Sequence, residues 1–416
     1  MKNKCVAAFT GGGTGGHIYP GLAVAGLLRK KFAGREEPLR IVWLGSRGKM
    51  DREIVQTARS NSPANDSLAK NAARNEKNPE NSIGLIDAFY GIPSGKLRRY
   101  FSIKNFFDIF KIGFGFFAAF FILLKERPAF LFSKGGFVSV PPCLAARILG
   151  IKVYTHECDF TPGLATRINS RFAHEIFLSY DETKKYFSSA TQKKLVVTGN
   201  PVREVFYNAN PDIGRKFVFG NANSGDEKFS EDRGSEKPVL LVTGGSLGAA
   251  QINSLVLENL DWLCENFIVV HQTGKKNASS EEGASEKNGY HPFAFIYEEM
   301  PHVFAMADVV LSRSGANSIW EAAVLAKPMV LLPLEGEGTR GDQVDNAEFF
   351  SKRGAAIVIR KAEASSQKFR DALSLVLKKN VREEFSSACK KIVGNEKPAE
   401  KIVGILFAEN FGGGTQ

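Results

Sequence analysis

The sequence predicts an α/β protein of two Rossmann-like lobes, each a parallel sheet with crossover helices. Three observations predict this fold class. Short apolar runs alternate with helical patterns, the 416 residues exceed the usual size of one domain, and two segments open with the same strand, glycine turn and helix. The predicted lobes are residues 1–202 and 203–394, and a further helical pattern covers about 395–411.

Twelve apolar runs are predicted to be strands. In the first lobe they are Cys5–Phe9, Ile41–Leu44, Phe130–Phe132, Val153–Thr155, Ile176–Leu178 and Leu195–Val197. In the second lobe they are Val239–Val242, Phe267–Val270, Phe293–Ile296, Val309–Leu311, Met329–Leu332 and Ala356–Ile359. Three polar stretches have little to bury and are predicted to be solvated loops or partly disordered insertions: 57–82, 221–237 and 275–288.

Composition excludes a wholly disordered, collagen-like or polytopic membrane chain, since hydrophobic residues make up 43% and charged residues 24%. Lys plus Arg (55) exceed Asp plus Glu (44), and the net charge of +11 favours phosphates, nucleic acid or anionic lipid as partners. The five cysteines form no C-x-x-C pair, and the apolar stretch after Met1 is too short for a signal peptide, so we expect a reducing cytoplasm.

Two glycine turns are the first candidate binding elements. Gly11, Gly13 and Gly16 satisfy G-x-G-x-x-G, and a second turn runs over 244–250. A nicotinamide dinucleotide site would need an acid after the next strand, where the chain instead has Gly45-Ser46-Arg47. The alternatives are glycines that serve only tight packing, or helix starts that offer N–H groups to a ligand across a cleft.

His17 directly follows the first glycine turn at the start of a helix. Its imidazole can take a proton from an attacking hydroxyl, and the alternative is a histidine that caps the helix or binds a phosphate. We found no His, Cys or carboxylate pair with metal-ligand spacing, so no dedicated metal site and no cofactor are predicted.

The segment 312–321 predicts a strand end, a glycine turn and the first turn of a helix, with Glu321 in that turn. A carboxylate there can accept two hydrogen bonds from ribose hydroxyls, or it can simply complement the helix dipole. Further on, Gln343 follows a flexible stretch from Gly336 to Gly341 and can direct its amide at sugar hydroxyls.

Six motifs together resemble the MurG family of peptidoglycan glycosyltransferases, over nearly the whole chain. The motifs are Gly12–Gly21, Lys134–Ser139, His156-Glu157, Gly199–Arg203, Gly244–Ala249 and Arg313–Glu321. The resemblance implies the GT-B glycosyltransferase fold, with the helix at 395–411 packed back on the first lobe.

The resemblance also implies an activity. N-acetylglucosamine would pass from UDP-N-acetylglucosamine, with inversion and without a metal, to the C4 hydroxyl of N-acetylmuramic acid in lipid I. The product would be lipid II for peptidoglycan synthesis. The implied partners are these substrates, an anionic membrane surface and other cell-wall synthesis proteins, at the cytoplasmic face of the plasma (inner) membrane.

Site residues carried over by position are expected to bind the donor sugar nucleotide, with Ser246 on phosphate and Glu321 on ribose. They are Thr14, Gly15, Gly16, Asp159, Arg203, Ser246, Ile296, Ala316, Asn317, Ser318, Ile319, Trp320, Glu321 and Gln343. His17 is the expected catalytic base. Asp159 stands where some members have Asn, which makes it a second candidate base.

A Phe-rich segment is the candidate membrane contact, because phenylalanines recur at three- or four-residue steps beside basic residues. The expected contacts are Phe106, Phe110, Phe114, Phe117, Phe121, Lys104 and Lys111. The alternative is that this stripe is core. Its 13 apolar residues from Ile112 to Leu124 are fewer than a membrane span requires.

Three other functions remain as alternatives. A related lipid glycosyltransferase would use diacylglycerol as acceptor, a basic nucleic-acid binder would use the +11 charge, and an oxidoreductase would use NAD. Against nucleic acid, no recognised binding module is present and the basic residues are scattered or lie beside phenylalanines.

Overall fold

The computed structural model describes residues 5–58, 84–95, 103–220, 237–245, 249–274, 287–336 and 339–412. The chain forms two compact units, one of Met1–Arg203 with Glu396–Gln416 and one of Glu204–Asn395. The three stretches predicted to be solvated loops lie almost wholly outside the described residues.

In its described residues, the first unit is built around seven parallel strands. They are β1 Cys5–Thr10, β2 Leu39–Ser46, β3 Ala88–Ile92, β4 Phe130–Ser133, β5 Lys152–Glu157, β6 Glu175–Leu178 and β7 Leu195–Val197. Their order in the sheet is β3-β2-β1-β4-β5-β6-β7, so the direction of winding reverses between β1 and β4. Ligands of such sheets bind beyond the carboxyl ends of the strands at this reversal.

Strand register brings the candidate residues of this unit to one edge. Thr10 at the end of β1 pairs with Leu44 of β2 on one side and with Ser133 of β4 on the other. The residues that follow these three positions therefore leave the sheet side by side.

Helices cover both faces of the first sheet. They are α1 Tyr19–Lys31, α2 Lys49–Thr57, Ile103–Glu126, Val140–Ile148, Leu164–Asn169, Ser189–Gln192 and Pro398–Phe411. Alternation along the strands separates two cores, since Ala7 and Phe9 pack with α1 while Val6 and Ala8 pack on the other face. The C-terminal helix Pro398–Phe411 belongs to the α1 side, where Leu406 is fully buried.

The described residues of the second unit repeat this plan with six parallel strands. They are β8 Val239–Thr243, β9 Ile268–Gln272, β10 Tyr290–Phe293, β11 Val309–Ser312, β12 Met329–Leu331 and β13 Ala356–Val358. Their order in the sheet is β10-β9-β8-β11-β12-β13. Its helices are Glu204–Tyr207, Pro211–Phe219, Ala250–Glu258, Leu260–Asn266, Met300–Met306, Ala316–Val324, Asp342–Ser351, Ser366–Leu377 and Lys379–Val393. Thr243 at the end of β8 pairs with Gln272 and Ser312, as Thr10 does with its neighbours.

Two strand predictions were wrong. The edge strand β3 was missed, because its residues are mostly half-buried and show no continuous apolar run. The strand predicted at Phe293–Ile296 lies three residues earlier, at Tyr290–Phe293. The strand was not recognised because His291 and Pro292 interrupt the apolar run, although Tyr290 and His291 are buried.

The helix Ile103–Glu126, which we call the Phe-rich helix, presents two different faces. Ala119 and Leu123 are fully buried against the sheet. The other face carries exposed phenylalanines: Phe110 (54%), Phe114 (68%), Phe117 (59%) and Phe121 (63%). Phe116 and Phe120 are partly buried against the core. The expected contacts Lys104 and Phe106 have side chains outside the described part of the chain.

Among the described residues, no helix combines the length and hydropathy needed to cross a bilayer.

Candidate active site

The first glycine turn leaves the sheet where β1 ends and leads into a short 3₁₀ turn, Gly15–His17. The His17 N–H donates to the Thr14 carbonyl at 3.1 Å, and Trp43 Nε1–H of β2 donates to the Gly11 carbonyl at 3.0 Å. Thr14 is exposed and makes no side-chain capping hydrogen bond. The turn thus carries the expected ligand residues Thr14, Gly15 and Gly16 on its outer side.

Asp51 holds this turn from beneath. Both of its carboxylate oxygens lie 3.0 Å from the Gly13 nitrogen, and Oδ2 also accepts the Ser46 N–H at 2.9 Å. The side chain of Asp51 is 1% exposed, and a Cβ at Gly12 would collide with it. A buried carboxylate therefore fixes the geometry of the glycine turn.

His17 lies against the turn that follows β4. Gly136 has φ +76°, and a Cβ there would lie 2.8 Å from His17 Cδ2. Only glycine combines this backbone conformation with such a close approach. The imidazole therefore packs against the backbone of Gly136, at the carboxyl edge of the sheet.

A buried polar chain joins β4, β5 and the loop after β7. Lys134 Nζ lies 2.9 Å from His156 Nδ1, and His156 Nε2 lies 3.0 Å from the Gly199 carbonyl oxygen. Burial and the Lys134 charge lower the pKa of His156 well below its usual range. A neutral imidazole then accepts from Lys134 and donates to Gly199, so His156 is positioned as a link rather than as a base.

Glu157 organises the loop that contains Asp159. Its Oε1 accepts the Asp159 N–H at 3.1 Å and its Oε2 accepts the Gly163 N–H at 3.0 Å. Burial, followed by the nearby Asp159 charge, raises the pKa of Glu157. Asp159 itself is 8% exposed.

The carboxylates of Glu157 and Asp159 bear on the prediction that no His, Cys or carboxylate pair has metal-ligand spacing. Ligand atoms of Glu157, Cys158 and Asp159 lie within 4.8 Å of one another, so the described residues do include a group with metal-ligand spacing. These three residues are adjacent in the sequence and do not form a spaced ligand motif. The backbone hydrogen bonds of Glu157 already explain why that carboxylate is buried.

Arg203 lies in the first unit, and its guanidinium is 4.8 Å from the centre of the Tyr19 ring. Tyr19 begins α1, two residues after His17. A positive charge is therefore fixed near the first glycine turn by a cation–π contact.

In the second unit, Gln272 at the end of β9 supports the other glycine turn. Its Nε2 lies 3.3 Å from both Thr243 Oγ1 and the Gly245 carbonyl, and its Oε1 accepts the Ile296 N–H at 2.9 Å. Ile296 is 2% exposed, so its side chain belongs to the core. Ser246 lies outside the described residues.

The helix Ala316–Val324 begins after Gly315 and carries six of the expected donor contacts. Ala316, Ile319 and Trp320 are buried, whereas Asn317, Ser318 and Glu321 are half-buried. The prediction that Glu321 falls in the first helical turn was wrong, because it is the sixth residue of the helix. The alternative role, in which Glu321 only complements the helix dipole, is therefore not supported, because that effect is confined to the first turn.

Gln343 and Arg313 complete the carboxyl edge of the second sheet. Gln343 Oε1 accepts the Leu334 N–H at 2.9 Å, which leaves its amide nitrogen as the group for a ligand. Arg313 Nη1 donates to Gln251 Oε1 and to the Leu332 carbonyl, at 3.1 and 2.9 Å. Burial lowers the pKa of Arg313.

Sequence reasoning missed Asp51 and Gln272, and it quoted Lys134 and Arg313 only within motifs. Asp51 lies 38 residues from the Gly13 nitrogen that it binds. A weak signal was present, because a carboxylate in the first turn of a helix is placed to accept N–H groups at that edge of the sheet.

Two family models match this chain. The N-terminal domain of glycosyltransferase family 28 matches residues 7–178, and the C-terminal domain of the same family matches residues 239–402. The chain belongs to glycosyltransferase family 28. Because the chain belongs to this family, it is a glycosyltransferase. The two alternative functions outside this class, an NAD oxidoreductase and a non-catalytic nucleic-acid binder, are excluded.

Relatives in this family match along most of their length. A Treponema denticola protein named UDP-N-acetylglucosamine--N-acetylmuramyl-(pentapeptide) pyrophosphoryl-undecaprenol N-acetylglucosamine transferase is 47% identical, over 86% of this chain and 84% of its own. A protein of the same name from Treponema pallidum (strain Nichols) is 42% identical, over 94% of this chain and 89% of its own.

Solved structures confirm the predicted fold class. MurG from Acinetobacter baumannii superposes with a TM-score of 0.66 at 21% identity, over 97% of this chain and 99% of that one. A UDP-GlcNAc 2-epimerase from Neisseria meningitidis, solved with UDP-GlcNAc, superposes at 0.58 and 16% identity, over 98% and 100%.

The Asp51 contacts lead to a prediction about the glycine turn. Replacing Asp51 by Asn puts an amide N–H₂ against backbone N–H groups, so we expect kcat/KM to fall by about tenfold or more and stability by about 1–3 kcal/mol. Steady-state kinetics and denaturant unfolding measure both effects. Glu53→Gln on the same helix is the control, because Glu53 is 60% exposed and pairs only across the surface with Lys49. Parent-like kinetics in Asp51→Asn would contradict this role.

Proposed function

We propose that this protein transfers N-acetylglucosamine from UDP-N-acetylglucosamine to the C4 hydroxyl of the N-acetylmuramic acid of lipid I, forming lipid II. The observation that carries the proposal is the 47% identity, over 86% of the chain, to a relative named for this transfer. That likeness favours the muramyl acceptor over diacylglycerol, the alternative acceptor within the same fold.

The second unit supplies the donor site in this proposal. Backbone N–H groups near Gly245 and at the start of Ala316–Val324 meet the diphosphate, where helix starts favour negative charge. Glu321 accepts from the ribose hydroxyls, and the amide nitrogen of Gln343 donates to sugar hydroxyls. Ser246 adds a hydroxyl for the leaving phosphate. Arg203, which belongs to the first unit, adds a positive charge, so no metal is needed in this proposal.

The first unit supplies the acceptor site and the base. The acceptor C4 oxygen attacks the anomeric carbon of N-acetylglucosamine, and its proton passes to His17. The bond between the anomeric carbon and the β-phosphate oxygen breaks, and its electron pair leaves with UDP. A single displacement of this kind inverts the anomeric configuration.

His17 is preferred over Asp159 as the base for a geometric reason. The His17 ring is held beside Gly136 on the glycine turns and is half-buried. Asp159 lies in a loop that the buried Glu157 fixes through its backbone, next to a second carboxylate.

The Phe-rich helix supports contact with a membrane surface. Its four phenylalanines at positions 110, 114, 117 and 121 are each more than half exposed and follow a single helix face. A contiguous exposed apolar face of this kind is typical of an interaction surface, and the acceptor is lipid-linked. We place the protein at the cytoplasmic face of the plasma membrane, where other cell-wall synthesis proteins are partners.

Product analysis tests the proposed function. We expect labelled UDP-N-acetylglucosamine to give a labelled lipid with lipid I and none with diacylglycerol, at an unchanged rate in excess EDTA. NMR of the product should give the inverted, β-anomeric linkage. Label transferred to diacylglycerol instead, or loss of the reaction in EDTA, contradicts the acceptor or the metal-independent mechanism respectively.

The proposed base leads to a second prediction. His17→Ala should lower kcat by about 10² or more while the affinity for UDP changes less than a few-fold, since the imidazole acts on the acceptor hydroxyl. Single-turnover rates and UDP calorimetry separate the two quantities. The matched control is His174→Ala, an exposed histidine at the amino end of β6, on the opposite edge of the sheet. A kcat within a few-fold of the parent value would reject His17 as the base.

The exposed face of the Phe-rich helix gives a third prediction. The double variant Phe114→Ala/Phe117→Ala should weaken binding to vesicles containing phosphatidylglycerol by at least about tenfold, because each buried Phe contributes about 1.5–3 kcal/mol. Vesicle sedimentation measures the binding. Ile148→Ala, which removes another exposed apolar side chain of the same unit, should have little effect. Equal losses in both variants would argue against this face as the contact.

A further inference from the structure

Two successive glycines form the loop that follows β4 and lies against His17. Gly135 has φ +80° and Gly136 has φ +76°, a region that residues with a Cβ rarely adopt. A Cβ at Gly136 would lie 2.8 Å from His17 Cδ2 and 3.0 Å from the Gly12 carbonyl oxygen. Glycine loses more conformational freedom on folding than any other residue, so such a loop keeps one conformation only where other groups hold it. The position of the His17 ring therefore depends on what holds these two glycines.

Two serines hold the Gly135–Gly136 loop. Ser133 Oγ, at the end of β4, accepts the Gly135 N–H at 3.2 Å. The Ser139 hydroxyl donates to the Gly136 carbonyl oxygen at 2.9 Å, and the Ser139 N–H donates to the same oxygen at 3.1 Å. Both serines are fully buried, so water does not compete for these hydrogen bonds. Each glycine of the loop is thus bound by a serine hydroxyl.

A single buried amide joins the two serines. Asn169 Nδ2 donates to Ser133 Oγ at 3.2 Å and to Ser139 Oγ at 2.9 Å, which uses both N–H groups of the amide. The opposite orientation would place the amide oxygen against the Ser139 oxygen, whose only hydrogen is already donated to Gly136. The Asn169 side chain is fully buried, and its Oδ1 has no hydrogen-bond partner within the described residues. The amide nitrogen is therefore the group through which Asn169 acts.

The helix Leu164–Asn169 carries this amide to the loop. It begins after Gly163, whose N–H is bound by the Glu157 carboxylate. Thr166 of the same helix also lies beside the loop, since a Cβ at Gly135 would be 3.5 Å from Thr166 Oγ1. Glu157 thus fixes where the helix starts, and the last residue of the helix binds the serines that hold the loop.

The chain of hydrogen bonds ends at the group that the His17 ring packs against. If the amide is lost, the two serine hydroxyls are free to turn, and the Gly136 backbone can move away from the ring. A displacement of about 1 Å at a reacting group can lower a rate by about 10²-fold. The network is therefore placed to affect catalysis through the orientation of the imidazole.

We infer that Asn169 is a positioning residue for His17 and acts on it through the Gly135–Gly136 loop. The inference rests on the proposed function, because His17 is the base only in that reaction. Asn169 is fully buried and acts without touching a substrate. Its two N–H groups orient the serines, the serines fix the loop, and the loop supports the imidazole.

Kinetics with the full-length protein test the inference. Asn169→Leu keeps the approximate size of the side chain and removes both donors, so kcat should fall by about tenfold or more. KM for UDP-N-acetylglucosamine should stay within about twofold, because the proposed donor site lies in the second unit. Ser139→Ala should lower kcat by a smaller factor, about threefold, since the N–H of residue 139 still binds the Gly136 carbonyl. A kcat within about twofold of the parent value in Asn169→Leu would overturn the inference.

A combination with His17→Ala separates positioning from a general structural effect. In the His17→Ala background, Asn169→Leu should change kcat by less than about twofold, because the group that it positions is absent. Single-turnover rates measure kcat in all four proteins of this cycle. A fall by the same factor in both backgrounds would show that Asn169 acts independently of His17, and it would overturn the inference.

Asn259→Leu is the matched control for the loss of a buried amide. Asn259 lies in the second unit and is 1% exposed, and its Nδ2 donates to the Leu255 carbonyl at 2.7 Å and to Ser366 Oγ at 3.2 Å. Its replacement should lower stability in denaturant unfolding, as Asn169→Leu does, but leave kcat within about twofold. An equal fall in kcat would show that lost stability explains the effect of Asn169→Leu, which would overturn the inference.

Hydrogen exchange distinguishes failure of the inference from failure of the proposed function. NMR should show that the Gly135 N–H exchanges about tenfold or more faster in Asn169→Leu than in the parent protein, with the N–H groups of β1 as internal reference. The reason is that the serine accepting this N–H is no longer held. Equal exchange in the two proteins contradicts the role of Asn169, whatever the activity. Faster exchange in the variant of a protein that makes no lipid II retains the link from Asn169 to the loop and contradicts the proposed function.

Discussion

The geometry of the candidate site depends on buried carboxylates that bind backbone N–H groups. Asp51 takes the Gly13 and Ser46 N–H groups, and Glu157 takes those of Asp159 and Gly163. Loops at the end of a parallel sheet carry N–H groups that no strand pairs, and leaving such groups buried without an acceptor costs about 1–3 kcal/mol each. The carboxylates remove this cost by accepting these hydrogen bonds. The N–H groups that they bind are then not available to a ligand.

The two units support their glycine turns with different side chains. In the second unit a neutral amide, Gln272, bridges the glycine turn and the Ile296 nitrogen. A neutral support adds no carboxylate beside the helix starts of the second unit, whereas Asp51 places one against the first glycine turn. This difference is a physical reason to assign the donor diphosphate to the second turn and the acceptor hydroxyl with its base to the first.

The fold and the positions of the glycine turns could be predicted from the sequence. The side chains that support these turns could not. Continuous apolar runs located the central strands because buried parallel strands require them on both faces, while the half-buried β3 lacked such a run. Asp51 and Gln272 act across the sheet through contacts between elements remote in sequence, which no local pattern encodes. Glu321 was placed one turn too early in the helix, because the helix begins already at Ala316, directly after Gly315.

Packing against the sheet determines which face of the Phe-rich helix is buried and which is exposed. Its phenylalanines occupy more than one face, so periodicity alone left the core and surface alternatives open. Ala119 and Leu123 are fully buried in the core beside the sheet, and these contacts fix the rotation of the helix about its axis. With that rotation, positions 110, 114, 117 and 121 face solvent. The same few buried contacts thus determine which phenylalanines form the exposed apolar face.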